Sequence, residues 1–102
     1  HTFEFDILQA PNPFNPDHGP LTFGYTLSLP ADELSVYVVN LRGDVIFSYH
    51  PTSSALTTGY HQFTWDGTGP NGTVSNGLYY AYCLAKRGDK QKKIKLKLAI
   101  LR

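Results

Sequence analysis

The sequence predicts an all-β fold, a β-sandwich of about seven strands. Three observations predict it. Apolar and polar residues alternate with period two along most of the chain, no window sustains a helical period, and turn-forming clusters interrupt the alternation at short intervals. At 102 residues the chain is one domain, large enough to close a single core. A small barrel is the alternative architecture. Ala31-Asp32-Glu33-Leu34 has room for one helical turn and nothing longer.

Phe3, Phe5 and Ile7 alternate with Glu4 and Asp6 and form the first strand. Phe23, Tyr25 and Leu27 alternate with Thr22, Gly24 and Thr26 in the second. Leu34 to Asn40 and Asp44 to Tyr49 are the next two, joined by Leu41-Arg42-Gly43 as a hairpin in which Gly43 is free to take a positive φ. Pro51 to Gly59 reads as a loop. Tyr60 to Trp65 is the fifth strand. Asp66-Gly67-Thr68-Gly69-Pro70-Asn71-Gly72 follows, too rich in turn residues to pair in a sheet, and is expected to be a loop. Asn76-Gly77 makes a second tight turn before the strand Leu78 to Leu84. Ile94 to Leu101 closes the set. No internal repeat or linker divides the chain.

Composition excludes several classes. No apolar run reaches the roughly 18 residues of a spanning helix, so no membrane span is expected. A hydrophobic fraction of 41% with a net charge of +1 is not that of a disordered tail. The lone Cys83 rules out an internal disulfide and a cysteine-based zinc site, and reads as a small buried hydrophobe. His1 reads as the edge of a piece excised from something longer; an amino-terminal histidine could bind copper through its amine and imidazole only as a true mature terminus. His18, His50 and His61 have no metal-motif spacing, no G-x-S-x-G stretch exists, and no glycine pattern opens a helix to cradle phosphate. Neither catalysis nor a cofactor is expected. The loop after Trp65 carries one carboxylate, too few for calcium; Asp66 is expected to accept loop N–H bonds and Trp65 to anchor the core with its N–H on backbone. Asn71-Gly72-Thr73 fits the N-glycosylation pattern, a weak three-residue match.

Charge is segregated. Eight of nine Lys and Arg lie between Lys86 and Arg102, and seven of eight acids between Glu4 and Asp66. In the last strand Lys93, Lys95 and Lys97 alternate with Ile94, Leu96 and Leu98. The first and last strands are expected to neighbour each other, with this basic row facing Glu4 and Asp6. Acids elsewhere nearly cancel the bases, so nucleic acid is not expected as a partner. The aromatics exceed the needs of one small core. In Leu78 to Leu84, Tyr79, Ala81 and Cys83 share one face, while Tyr80 and Tyr82 share the other. The second face is either packed or exposed as a platform on which sugars could stack.

Several segments together resemble one family. Ala10-Pro11-Asn12-Pro13-Phe14-Asn15-Pro16 looks like the opening motif of bacterial FlgD-like immunoglobulin-type domains. Leu21 to Pro30 is similar to the family's I-x-Y-x-L-P strand, and Leu34 to Ile46 to its V-x-V-Y-D-x-x-G-x-x-V hairpin, with Asn40 where Asp is frequent and Gly43 at the glycine. Gly59 to Gly67, ending Trp65-Asp66-Gly67, is similar to G-x-H-x-x-x-W-D-G. Gly72, Val74 and Asn76-Gly77-Leu78-Tyr79 follow G-x-x-V-x-S-G-V-Y, and Lys95 to Arg102 looks like the final strand. The six motifs stand in order across residues 8–102. The prolines fix φ and remove donors, so this stretch is expected to be extended without lengthening a sheet, with Phe14 plugging one end of the sandwich.

The resemblance implies an immunoglobulin-like β-sandwich over residues 1–102, secreted or at a bacterial cell surface. Many such domains are C-terminal sorting domains of the type IX secretion system; the same fold serves in flagellar hook caps and as a spacer beside catalytic domains. It implies export through an outer-membrane translocon, a cargo domain on the N-terminal side, and recognition of the last strand at Ile94, Lys95, Leu96, Lys97 and Leu98. The alternatives are a carbohydrate-binding or adhesive module holding polysaccharide on Tyr80 and Tyr82, and a structural spacer.

Overall fold

In the computed structural model, described here for residues 2–102, nine strands form three antiparallel sheets. His1, and with it the copper reading, lies outside the described residues. The strands are β1 (Phe5–Ala10), β2 (Leu21–Leu27), β3 (Glu33–Val39), β4 (Val45–Tyr49), β5 (Gly59–Trp65), β6 (Thr68–Gly69), β7 (Gly72–Thr73), β8 (Gly77–Arg87) and β9 (Lys90–Ile100). One main sheet has the order β1-β2-β5 and the other β4-β3-β8-β9, while β6 and β7 make a separate two-residue ribbon. Short 3-10 turns occupy Pro16–His18 and Ser53–Leu56. The region around Ala31 to Leu34 enters β3 instead of making a helical turn.

The two main sheets pack face to face because each has one apolar side. From the three-stranded sheet Phe5, Ile7, Leu21, Phe23, Tyr25, Leu27, Phe63 and Trp65 point inward and are buried; from the four-stranded sheet Leu34, Val36, Val38, Tyr79, Leu98 and Ile100 do so. The central β8 contributes Ala81, Cys83 and Ala85, all buried. Small residues there leave room for the rings opposite, the large-against-small match that fills a sandwich core. Each buried large side chain contributes about 1.5–3 kcal/mol. An exposed ion pair contributes only about 0.2–1 kcal/mol, so the core decides the fold.

Rings close one open side. Tyr49 of β4 stacks on Phe63 of β5 at 3.7 Å between centroids, and Phe47 lies 5.4 Å from Trp65. These contacts join the outer strands of opposite sheets. The buried Tyr25 hydroxyl donates to the Ala55 carbonyl at 2.7 Å, tying the 51–58 connection to the core. Burial is the main reason its ionisation is pushed well above the usual tyrosine range.

Three expectations need correction. The Asp66–Gly72 run does pair: Thr68 opposes Thr73 and Gly69 opposes Gly72, with Pro70 and Asn71 in the turn, where the missing proline donor costs nothing. The last two long strands extend further than expected, to Arg87 and back from Lys90, as one hairpin turning at Gly88-Asp89. The rows Glu4/Asp6 and Lys93/Lys95/Lys97 do not face each other. β1 and β9 lie along the same side of the sandwich but in different sheets. With the apolar residues of each strand pointing inward, the charged rows point to opposite outer faces. The ion pairs among the described residues are Arg42–Asp44 and Lys86–Glu33, both at 3.6 Å.

Candidate functional site

The motif residues, scattered along the sequence, meet at one end of the sandwich. β1 ends there, β2 begins, β5 ends, β8 begins and β9 ends, as the antiparallel registers require. After Ala10 the chain leaves the three-stranded sheet and crosses to the edge of β9. Asn12 Oδ1 accepts from the Ala99 N–H at 3.2 Å. The Phe14 N–H donates to the Ala99 carbonyl at 2.8 Å, and the Leu101 N–H donates to the Phe14 carbonyl at 2.9 Å. The stretch adds no strand to a sheet, but Phe14 makes one isolated parallel bridge with Ile100. It can do so because it keeps the N–H that Pro13 lacks.

The Phe14 ring is fully buried, 5.9 Å from the Trp65 ring. Asn15 Oδ1 accepts from the Asp17 N–H and caps the 3-10 turn that opens at Pro16. Trp65 Nε1 donates to the Thr68 carbonyl at 2.9 Å, and Asp66 Oδ1 accepts from both the N–H and the hydroxyl of Thr68. Those two bonds hold the Asp66 carboxyl below its ordinary value of 3.8. Gly67 carries a φ of +84° and lies against Pro16 and Phe14 so closely that a Cβ would stand 2.8 Å from Pro16 Cγ. The Tyr79 hydroxyl donates to the Ser75 carbonyl just before Gly77. On the adjoining β3–β4 turn, Asn40 Oδ1 accepts from the N–H groups of Arg42 and Asp44, and Gly43 takes a φ of +91°. Asn40 thus makes the backbone bonds that an aspartate would make there. The motifs are architectural: they cap one end and fix three turns.

The second feature is the outer face of the four-stranded sheet. Register places Tyr37 of β3, Tyr82 of β8 and Lys95 of β9 in one line across the strands. Tyr82 is 45% exposed and Tyr37 36%. Tyr80 is half-buried; its ring lies 6.5 Å from that of Tyr82, tilted by 40°. The Lys95 ammonium sits 4.4 Å above the Tyr80 ring and 5.8 Å from that of Tyr82. Tyr37 lies on another strand, and only the register reveals it as the neighbour of Tyr82. Within Ile94 to Leu98, Leu98 is buried and Ile94 and Leu96 pack partly against the core, leaving Lys95 and Lys97 exposed. The Lys97 carbonyl accepts from Gln9 Nε2 at 2.7 Å. From Lys90 to Leu96 no further strand pairs with β9 among the described residues.

The histidines serve locally: His61 Nε2 lies 2.7 Å from the Thr57 carbonyl, and His50 packs edge-on to Tyr37. Among the described residues no three His, Cys, Asp or Glu side chains gather as a metal set would, and no helix is long and apolar enough to cross a membrane.

Two layers of antiparallel strands, a capped end and an open sheet face define an immunoglobulin-like β-sandwich domain. The chain belongs to the FlgD Ig-like domain family, whose model matches residues 12–89. Over 70 residues it is 36% identical to the basal-body rod modification protein FlgD of Escherichia coli and of Salmonella typhimurium; the match spans 68% of this chain but 29% of each of theirs. Among solved structures, 99% of the chain superposes on 10% of dimeric latent PorU from Porphyromonas gingivalis (TM-score 0.75, 21% identity). PorZ, an essential surface component of that bacterium's type IX secretion system, matches over 94% of this chain and 11% of its own (TM-score 0.61, 22% identity). FlgD from Pseudomonas aeruginosa matches over 95% and 73% (TM-score 0.65, 16% identity).

Proposed function

We propose that the chain is a non-catalytic C-terminal secretion, sorting or anchoring domain of a larger bacterial exported protein, acting at the cell surface. The observation that carries the reading is β9: an edge strand with an open backbone from Lys90 to Leu96 and exposed lysines along its outer face. Such an edge can pair with a strand of a receptor sheet, and the lysines would choose the partner by charge. The likeness in fold to PorU and PorZ supports a surface secretion context. The motif cap supports a rigid carrier, because its polar groups are used up in holding turns. Translocon recognition at Ile94, Lys95, Leu96, Lys97 and Leu98 then falls on the backbone edge and the two lysines.

The test is a fusion of a passenger protein to residues 1–102 in a bacterium with a type IX system. The whole chain is needed, because Phe3, Phe5 and Ile7 are buried. Removing residues 94–102 would also remove Leu98 and Ile100 from the core, so it would test folding instead of recognition. Lys93, Lys95 and Lys97 are therefore replaced together by Gln. The wild-type fusion is expected at the surface or in the medium, and the triple variant retained in the periplasm while folded. Retention of the wild-type fusion, or full export of the triple variant, overturns the reading.

The second reading, a carbohydrate-binding accessory module, is favoured by the exposure of Tyr82 beside Tyr37 and the half-exposed Tyr80.

A further inference from the structure

The tyrosine face carries more than rings, and its charge selects among sugars. Lys93, Lys95 and Lys97 project beside the tyrosines, and neither ion pair among the described residues involves them. At the outward positions of β3, β8 and β9 the one acid is Glu33, already 3.6 Å from Lys86. The face is therefore a half-apolar surface with unneutralised positive charge along one border. Between the border and the rings lies a shallow depression of about 340 Å³, lined in part by Tyr37, Tyr82, Leu84, Lys93 and Lys95.

Resting on the second reading above, we infer that this face binds an acidic polysaccharide, a chain of pyranose rings bearing carboxylates. Strands in a sheet lie about 4.8 Å apart. A glycan laid across them passes from Tyr37 to Tyr82 to Lys95 in successive steps, apolar sugar faces on the rings and a carboxylate at the lysine border. Two observations separate this occupant from others. A neutral glycan would use the tyrosines and leave three lysines without a counter-charge. A single-stranded nucleic acid stacks successive flat bases on open ring faces; here the Tyr80 ring is covered by the Lys95 ammonium and tilted 40° from Tyr82. An anionic ligand would draw Lys95 off Tyr80 toward its carboxylate, exchanging a cation–π contact for an ion pair.

The experiment titrates the 102-residue chain with polygalacturonate, neutral dextran and oligothymidylate at about 0.15 M salt. Binding is read by calorimetry, and the melting curve of every variant is recorded. Polygalacturonate alone is expected to bind well. Replacing Lys93, Lys95 and Lys97 by Gln should weaken it by about a hundredfold, and Tyr82→Ala by roughly tenfold. Tyr82→Thr, which keeps a strand-forming residue, stands in if the alanine variant melts early. Equal binding of dextran with no effect of the lysines would remove the acidic ligand and keep the glycan platform. Binding of neither polysaccharide would remove both. Tighter binding of oligothymidylate would make the face a nucleic-acid surface. Loss with the lysines but not with Tyr82 would reduce it to ion exchange. Each of these four results overturns the inference.

Discussion

Gly67 and Gly43 both sit at positive φ, yet their surroundings differ. At Gly43 no atom lies within 4 Å of an added Cβ, so Gly43→Ala meets only the left-handed backbone penalty, about 1 kcal/mol. At Gly67 the same Cβ would meet the Pro16 ring at 2.8 and 2.9 Å and Phe14 at 3.2 Å, and a proline ring locked in the cap cannot swing away. Overpacking adds to the backbone penalty, for a total of roughly 3 kcal/mol. Urea midpoints of the two variants measure the difference. Equal losses would show that Pro16 yields and that the cap is softer than its contacts imply. The part Trp65 plays, a core anchor with its N–H on backbone, was legible in the sequence; Gly67 was visible only as a motif letter, and the contact with Pro16 gives its reason.

Among elements, the turn after β5 shows how a side chain sets a boundary. Asp66 accepts from Thr68 twice and so opens the β6–β7 ribbon. Its carboxyl is held below the ordinary 3.8 by those bonds, so the folded state favours the ionised form. The stabilisation is therefore present above the unfolded carboxylate value and is lost as the pH falls through the lower folded value. Asp66→Asn keeps an acceptor oxygen but cannot titrate. Its urea midpoint is expected to fall less steeply than that of the wild type below about pH 4, and parallel acid limbs would contradict this. The regular strands were legible because alternation of apolar residues is what a half-buried strand needs. The β8–β9 hairpin was legible only in the part away from its turn. Its distal half, Lys86 to Lys93, reads as a solvated basic run, and alternation fades where a long hairpin outgrows the core. A signal was present in Gly88-Asp89, a two-residue turn with Gly88 at φ +57°. The tyrosine line was half legible: Tyr80 and Tyr82 follow from one strand's period, whereas Tyr37 requires knowing which strands pair.

The molecule as a whole has one core, in which both sheets and the crossing segment share the same buried cluster. Cys83 lies within it, 2% exposed on a central strand, and burial pushes its thiol up to about 12. A thiol held protonated and covered reacts only when the domain opens. Labelling of Cys83 is expected to follow the unfolded fraction, rising steeply through the denaturant transition and coinciding with the loss of tryptophan signal from Trp65. Fast labelling in buffer would mean that β8 can separate from the other sheet on its own. The order of the motifs along the chain already implied a single unit. That they converge on one end could not be read without the topology, since Phe14 and Trp65 are 51 positions apart in sequence yet share a ring contact.

The passage of residues 11–14 from one layer to the other has a mechanical meaning. A tug at the amino end loads β1 along its length, so its bonds to β2 are strained in shear. The next point of resistance is the clamp of Phe14 on Ala99 and Leu101, which belongs to the opposite layer. Neither layer can be peeled away while the other stays at rest. The domain should hold under tension and then yield abruptly, both layers parting in a single step.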